Sequence, residues 1–564
     1  MLKGVIGTVT AMSILGGCGA KKQNENFDNL RSDFVYGALA LSPVSATMAG
    51  YHKHGRLPLD EMMDDYSPMG LRGQHTFYDR MKQRIAALDQ QSLRAEDQAD
   101  LELMNDSAGL GLLELDTIQS YKHNPTLYVE LAGNALFNPF VLEYAPKETR
   151  YRHIIMRLAK VPNLFDQARA NLVDAPEIWN QTAQEENDGT IDLIEHTLKD
   201  NAPASLRDDY DRAAKPAVDS LHAFNTWLKT DLAKRTSDWR LGKDKYDQKF
   251  RYVLDVGKAP DQVLSDAEAE LDRVHGEMAK LAGATPVKAY LDNLAQQHST
   301  PQSYFSDAQK DLDQAISFVK EKNLVPVPNT SNLRVIPTPE FMRGIYGVGG
   351  FSPAPALEPQ LGAWFWVTPL SADPKRSESK LREYNKYGLQ HLVVHEAMPG
   401  HYLQFEYANH IEPLSRRVLR SVFGNGPYVE GWAFYTQQLM SEAGYMNNDP
   451  GYKMTLYKQC LRVITNAILD IRLQTMGMTD QQAMDLMVDK AYQEHEEAEL
   501  KLKRAKLSSA QLPMYFVGWR GWLRLREADK SKEDGSFSLP KFHERALKES
   551  AVPLPALGRL LGLQ

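Results

Sequence analysis

Cysteine is nearly absent: Cys18 and Cys460 are the only two in 564 residues, which excludes a framework stapled by several disulfides. Positive charge is not in excess either. The formal net charge is −8 and no long basic run interrupts it, so a nucleic acid is not an expected partner. No apolar run is long enough to cross a bilayer; the longest candidate, GVIGTVTAMSIL at 4–15, has twelve residues. Repeats and low-complexity tracts are lacking. GVGG in 347–350 is not followed by Lys-Ser or Lys-Thr, which removes a phosphate-binding loop from consideration.

What is present is a chain with 43% hydrophobic and 24% charged residues, enough to bury a substantial core in more than one lobe. Its first residues, with Lys3 ahead of the apolar run and LGGC at 15–18, read as an export signal that resembles the lipobox of bacterial lipoproteins. Residues 1–17 are therefore expected to be a signal peptide, Cys18 the lipid-modified terminus, and 18–26 a polar tether. Gly19 is not the aspartate of inner-membrane retention signals, so the expected location is the outer membrane, facing the periplasm. Cys460, in YKQCLRV with hydrophobic neighbours at helical spacing, reads as a buried structural residue.

From residue 27 onward the pattern is mostly helical. Residues 83–104, 265–283 and 307–323 carry apolar positions at three- and four-residue steps with charges between, and each predicts an amphipathic helix. Between 324 and 378 proline and glycine crowd in, and LGAWFWVT predicts a strand, either offering its edge to an extended peptide or burying Trp364 and Trp366. The expected organisation is one continuous body: an N-terminal helical lobe, 27–323, and a catalytic helical lobe, 324–564, with the small β element.

HEAMPGH at 395–401 begins like a zinc-protease signature, yet its histidines stand six residues apart instead of four. In a regular helix such positions lie roughly 120° apart around the axis and about 9 Å along it, and do not address one ion. Pro399, however, cannot donate to the carbonyl of His395, and its ring crowds that carbonyl at a cost of about 3 kcal/mol in a regular helix. Met398 is pushed from helical geometry as well, and Gly400 accepts the conformations of a break. Three readings stand: His395 and His401 as ligands with Glu396 as base, the ideally spaced His391 and His395 as the pair, or ordinary polar residues on a helix. Spacing alone favours the second. Downstream, VEGWAFYTQQLMSEAGY reads as another helix, and sites of the His, His, Glu type take their third ligand from such a helix. Glu430, 29 residues after His401, has apolar surroundings in which a carboxylate calls for a metal or a cationic partner.

LREYNKYGLQHLVVHEAMPGHYLQ, EGWAFYTQQLMSEAGY and LSSAQLPMYFVG together resemble, in order, the three signature blocks of the bacterial domain-of-unknown-function family 885. Its members are mostly helical, are grouped with the HExxH-type zinc peptidases, and include many exported lipoproteins. The likeness covers most of the mature chain and thins toward the N-terminus. It implies one Zn2+ per chain held by His395, His401 and Glu430, with Glu396 as general base. Tyr515 is then the hydrogen-bond donor to the developing oxyanion, and Gln511 shares its face. Two positions depart from many relatives: Gln474 replaces a histidine after the aspartate in ILDIRLQTMGMT, and Gln437 replaces a glutamate two residues after the tyrosine of EGWAFY. Arg472 is expected either to pair with Asp470 or to bind a substrate carboxylate. His410, His495 and His543 carry no partner pattern.

The resulting expectation is a mainly α, multi-helix, zinc-metallopeptidase-like fold with a small β segment near 324–378. Its function is expected to be a cell-envelope zinc-dependent hydrolase, a metallopeptidase acting on peptides and attached to the membrane through Cys18. The alternatives are a catalytically impaired peptide- or envelope-binding lipoprotein, and a metal-dependent amidase or esterase.

Overall fold

Amphipathic segments bury their apolar stripes against one another, and here they do so in a chain that is 72% helical. A computed structural model describes residues 26–328, 332–338, 343, 349–533 and 535–563. The expected signal peptide, Cys18 and the tether up to residue 25 lie outside the described residues. The patterns at 265–283 and 307–323 fall within helices Pro260–Ala282 and Tyr304–Glu321. The pattern at 83–104 does not form one helix. It is divided between Pro68–Ala87 and Ala95–Leu113, which pack against each other. The interruption follows from local chemistry, because the Ser92 hydroxyl donates to the Asp89 carbonyl at 2.7 Å and so competes with helical pairing.

One core runs from Phe27 to Leu561 and joins Phe34 and Val274 to Val393, Trp432 and Trp522. A second is built by side chains from Tyr128 to Leu232 and is completed by Trp364 and Trp366. The first core holds residues from both sides of 323/324, and the change of texture there coincides with a β insert. Buried ion pairs reinforce the union. Asp100 receives Arg31 at 3.0 Å, Arg416 at 2.7 Å and Arg420 at 2.8 Å, tying the first helix and Ala95–Leu113 to helix Leu414–Val422.

The insert forms a three-stranded sheet of β1 (Leu333–Pro337), β2 (Gly349–Ser352) and β3 (Ala363–Val367) in the order β1-β3-β2. β3 pairs parallel with β1 and antiparallel with β2, and all five of its residues are buried. The strand read from LGAWFWVT thus exists but has no free edge, since both sides are already paired. Its Trp364 and Trp366 are core residues.

Six helices carry the region of interest: α1 (Lys386–Glu396), α2 (His401–Ala408), α3 (Gly426–Glu442), α4 (Pro450–Thr475), α5 (His495–Leu507) and α6 (Pro513–Lys532). α3 and α6 form the most extensive helix pair. They cross at Gly431 and Gly518, where backbone meets backbone. A Cβ on Gly431 would stand 2.3 Å from the Gly518 carbonyl carbon, and one on Gly518 would stand 2.1 Å from the Pro427 oxygen.

Gly518→Ala is therefore expected to destabilise the protein by about 1–3 kcal/mol, because neither backbone can yield without separating the helices. Gly276→Ala, at an exposed helical position with nothing within 4 Å of the added carbon, is expected to stabilise by about 0.5–1 kcal/mol. Denaturant unfolding of both variants checks the opposite signs; equal effects would remove the special status of the crossing.

Candidate metal centre

The break between α1 and α2 is built by three residues. Asn385 starts α1 by accepting the Tyr387 and Gly388 amides, and α1 runs regularly to Glu396. Pro399 has no amide to continue the ladder. The Gly400 amide instead reaches back six residues to Val394 O at 3.0 Å, and α2 starts at His401. The Met398–Pro399 peptide is cis. Gly400 has φ −73°, so glycine serves here for its size rather than for left-handed freedom: a Cβ would stand 2.0 Å from the His395 oxygen. The Pro399 carbonyl, left outside the helical ladder, is not abandoned, and the Gly400 carbonyl already accepts the Gln404 amide at 3.2 Å. The Trp432 indole donates to Pro399 O at 2.9 Å and to Gly400 O at 3.2 Å from a fully buried position on α3.

This turns His401 toward His395, with ring centroids 4.8 Å apart and planes at 84°. Two residues before Trp432, Glu430 completes the group: its Oε2 lies 3.5 Å from Nε2 of His395 and 3.5 Å from Nε2 of His401. Among the described residues these three form the one group of at least three His, Cys, Asp or Glu side chains converging within reach of a single ion. Burial works against a charged Glu430, but the two imidazoles outweigh it and hold the carboxyl well below the usual range. Burial likewise opposes protonation of His401, and Glu430 with Glu396 outweighs it, raising the imidazole.

The donor set fits a zinc ion. Ligand atoms about 2.1 Å from zinc at tetrahedral angles stand about 3.4 Å from one another, close to the 3.5 Å between Glu430 Oε2 and each histidine nitrogen, which is too long for a good hydrogen bond. Glu430 Oε2 and His401 Nδ1 are buried without hydrogen-bond partners, and an ion between the three side chains would satisfy the carboxylate oxygen.

Around this group stand Glu396, whose charge acts on both His401 and Tyr515, and Tyr515 itself, its ring stacked 6.3 Å from that of His395. Burial, then the Glu430 charge, pushes the Tyr515 phenol up, so it remains a donor at neutral pH. Gln437 is buried, with Nε2 3.2 Å from His395 Nδ1. Three further neighbours stand nearby, and of these only Trp432 lies within one of the sequence motifs, EGWAFY. Phe351 of edge strand β2 stacks on His401 at 6.1 Å, Arg504 of α5 faces the Tyr515 hydroxyl, and Trp432 secures the break.

Other candidates lie elsewhere. His391 is engaged elsewhere, stacked 4.1 Å from Tyr452 and bonded to its carbonyl at 3.2 Å, and burial pushes it down to about 4. Gln474 receives the Leu241 amide at 2.9 Å and donates to Ser508 O at 3.0 Å, fastening the turn that precedes α6. Gln511 lies in that turn, partly exposed, its carbonyl accepting the Met514 amide. Arg472 pairs with Glu268 and not with Asp470. The reason is that Asp470 is fully buried, facing Tyr246, with burial raising it to about 7. His543 is a core residue between Tyr435 and Leu324 O, whereas His410 and His495 are exposed; Cys460 is buried.

Because the Gly400 contact leaves no room for a side chain, Gly400→Ala is expected to displace His401 and weaken zinc binding by about ten- to a hundred-fold, as loss of ligand support does elsewhere. His391→Ala is expected to retain about one zinc per chain. Metal titration of both proteins checks this, and equal losses would return His391 to the ligand set.

Comparison with curated proteins returned no match. Among solved structures, a "putative lipoprotein of unknown function" from Shewanella oneidensis is similar at 29% identity with a TM-score of 0.78, covering 95% of this chain and 100% of that one. A second such lipoprotein, from Colwellia psychrerythraea, shares the fold at 18% identity and a TM-score of 0.77, covering 95% of this chain and 98% of its own. Metallocarboxypeptidase 1 of Trypanosoma cruzi aligns over 95% of this chain and 92% of its own, but at 10% identity and a TM-score of 0.36 it is too distant to carry an argument. The family model described as "Bacterial protein of unknown function (DUF885)" matches residues 43–561, and the chain belongs to that family.

Proposed function

We propose that this chain is a zinc-dependent hydrolase of the cell envelope that cleaves peptide bonds. The observation that carries the reading is the convergence of two imidazoles and a carboxylate from α1, α2 and α3, each nitrogen 3.5 Å from the same Glu430 oxygen. His395, His401 and Glu430 would hold the ion. When bound, zinc supplies Lewis-acid polarisation of a carbonyl and lowers the pKa of water toward neutrality. Glu396, next in sequence to His395 and acting by its charge on both His401 and Tyr515, would take a proton from water and return it to the leaving amine. Tyr515, kept protonated by its surroundings, donates to the carbonyl oxygen as it gains charge. Phe351 and the β2 edge wall the site beside His401.

The cell-envelope assignment draws on LGGC and on the similar proteins described as putative lipoproteins. A lipid on Cys18 would provide the attachment. None of the helices among the described residues is long and apolar enough to cross a membrane.

The purified full chain is expected to hold about one zinc per chain. Glu396→Gln should keep that metal and lose about 10²–10⁴-fold in turnover of a peptide library. Tyr515→Phe should lose about 10²–10³-fold in kcat with a smaller change in KM. A chain that takes up no divalent metal would refute the metal centre. A metal-loaded parent that turns over no peptide would favour the peptide-binding lipoprotein instead.

A further inference from the structure

α5 carries four basic side chains near its C-terminal end, and three of them are engaged. Lys501 is buried and donates to Asn466 Oδ1 at 2.9 Å, Lys503 pairs with Glu185 at 2.5 Å, and Lys506 pairs with Asp480 at 2.6 Å. Arg504 differs. It is exposed, it has no acidic partner among the described residues, and its guanidinium faces the Tyr515 hydroxyl within the field of Glu430. An unpaired guanidinium is thus held at the mouth of the metal centre, on the side of Tyr515.

The charge balance says what it can receive. A divalent ion would be neutralised by Glu430 and Glu396 together, which leaves the Arg504 charge as the surplus of the site. A single negative charge completes it. The planar fork of arginine matches a carboxylate with two parallel hydrogen bonds, whereas a neutral amide satisfies neither its charge nor its geometry.

We propose that Arg504 is a binding residue for a substrate carboxylate lying close to the scissile bond, so that the preferred substrates are peptides presenting such a group. The carboxylate has two sources, a free C-terminus or an acidic side chain. This proposal rests on the metal-hydrolase reading, but its test does not require turnover.

The full-length Glu396→Gln protein, loaded with zinc, is titrated calorimetrically with three peptides of one sequence: the free acid, its C-terminal amide, and the amide with glutamate as the last residue. At least one carboxylate-bearing peptide is expected to bind about ten-fold or more tightly than the plain amide, the scale of a charge-assisted hydrogen bond. Tightening by the free acid alone identifies a terminal carboxylate, and tightening by the glutamyl amide identifies a side chain. Adding Arg504→Gln should bring the acid-to-amide ratio to about one, and Arg504→Lys should retain part of it. Zinc content checks that each variant has folded. Equal binding of all three peptides overturns the proposal. So does a ratio that survives Arg504→Gln, or a loss shared equally by acid and amide, which would mean that Arg504 serves only to hold Tyr515. In those cases a zinc-loaded protein that binds peptides leaves the hydrolase reading standing. A protein that binds neither zinc nor peptide overturns both.

Discussion

The arrangement of the site depends on where the carbonyl oxygen of Pro399 finds a donor. A helix interrupted between two histidines leaves backbone acceptors in an apolar interior, and an unpaired buried acceptor costs about 1–3 kcal/mol. The Trp432 indole meets the Pro399 oxygen at 2.9 Å and also approaches the Gly400 oxygen, which the Gln404 amide already pairs. Because Trp432 and Glu430 are two residues apart on α3, the bond that makes the break tolerable also brings the carboxylate to the imidazoles. The packing of the Trp432 ring against Trp522 at 4.9 Å then couples this geometry to α6, and through the Gly431–Gly518 crossing to the placement of Tyr515. Three segments distant in sequence thus share one set of contacts.

A second network fixes the other wall. Glu383 is almost wholly inaccessible, and burial would raise its carboxyl. Lys458 at 2.8 Å and Arg462 at 3.4 Å outweigh that effect and hold it ionised, while the Glu494 amide donates to it at 3.0 Å. Breaking a buried pair of this kind typically costs about 3–5 kcal/mol, because the remaining charge is left without compensation. Glu494 caps α5, so the carboxylate just ahead of α1 anchors the helix that bears Arg504 to α4. The LREY end of the first signature block therefore acts on the site through position and not through chemistry.

Some of this was legible in the residues and some was not, for reasons that are physical. Helical periodicity over 265–283 and 307–323 survives because each stripe is buried whole, whereas the same periodicity continues through the turn at Asp89–Ser92, where side chain to backbone bonds decide the path. The strand LGAWFWVT is evident from its composition, but its central place depends on partners at 333–337 and 349–352 that carry little β signal of their own. Spacing alone would choose His391 with His395; the break implied by Pro399 and Gly400 keeps His401 open, and the resemblance favours it. Gly431 and Gly518 reveal nothing singly, since a small residue announces its importance only through what stands opposite. Arg504 was hidden for a related reason: a basic run on an amphipathic helix reads as a solvated face, whereas Lys503 and Lys506 are part-buried in ion pairs with Glu185 and Asp480.

Gln437 connects the two halves of the problem. A histidine that gives Nε2 to a metal carries its proton on Nδ1, and that proton needs an acceptor. Gln437 brings its Nε2 to 3.2 Å from His395 Nδ1 while its own Oε1 is buried without a partner. The opposite rotation of the amide places the carbonyl on Nδ1 and gives a proton there its acceptor, the arrangement that a metal on the far nitrogen would favour. The acceptor is then neutral, where a glutamate would add a negative charge. A neutral acceptor pulls less proton density from the imidazole, leaves it a weaker donor to the ion, and leaves more positive charge at the centre to polarise a carbonyl. On the proposed reading, the neutral side chain also leaves one anion fewer near Glu430 and Glu396, so that the Arg504 charge would meet its counterpart on the substrate.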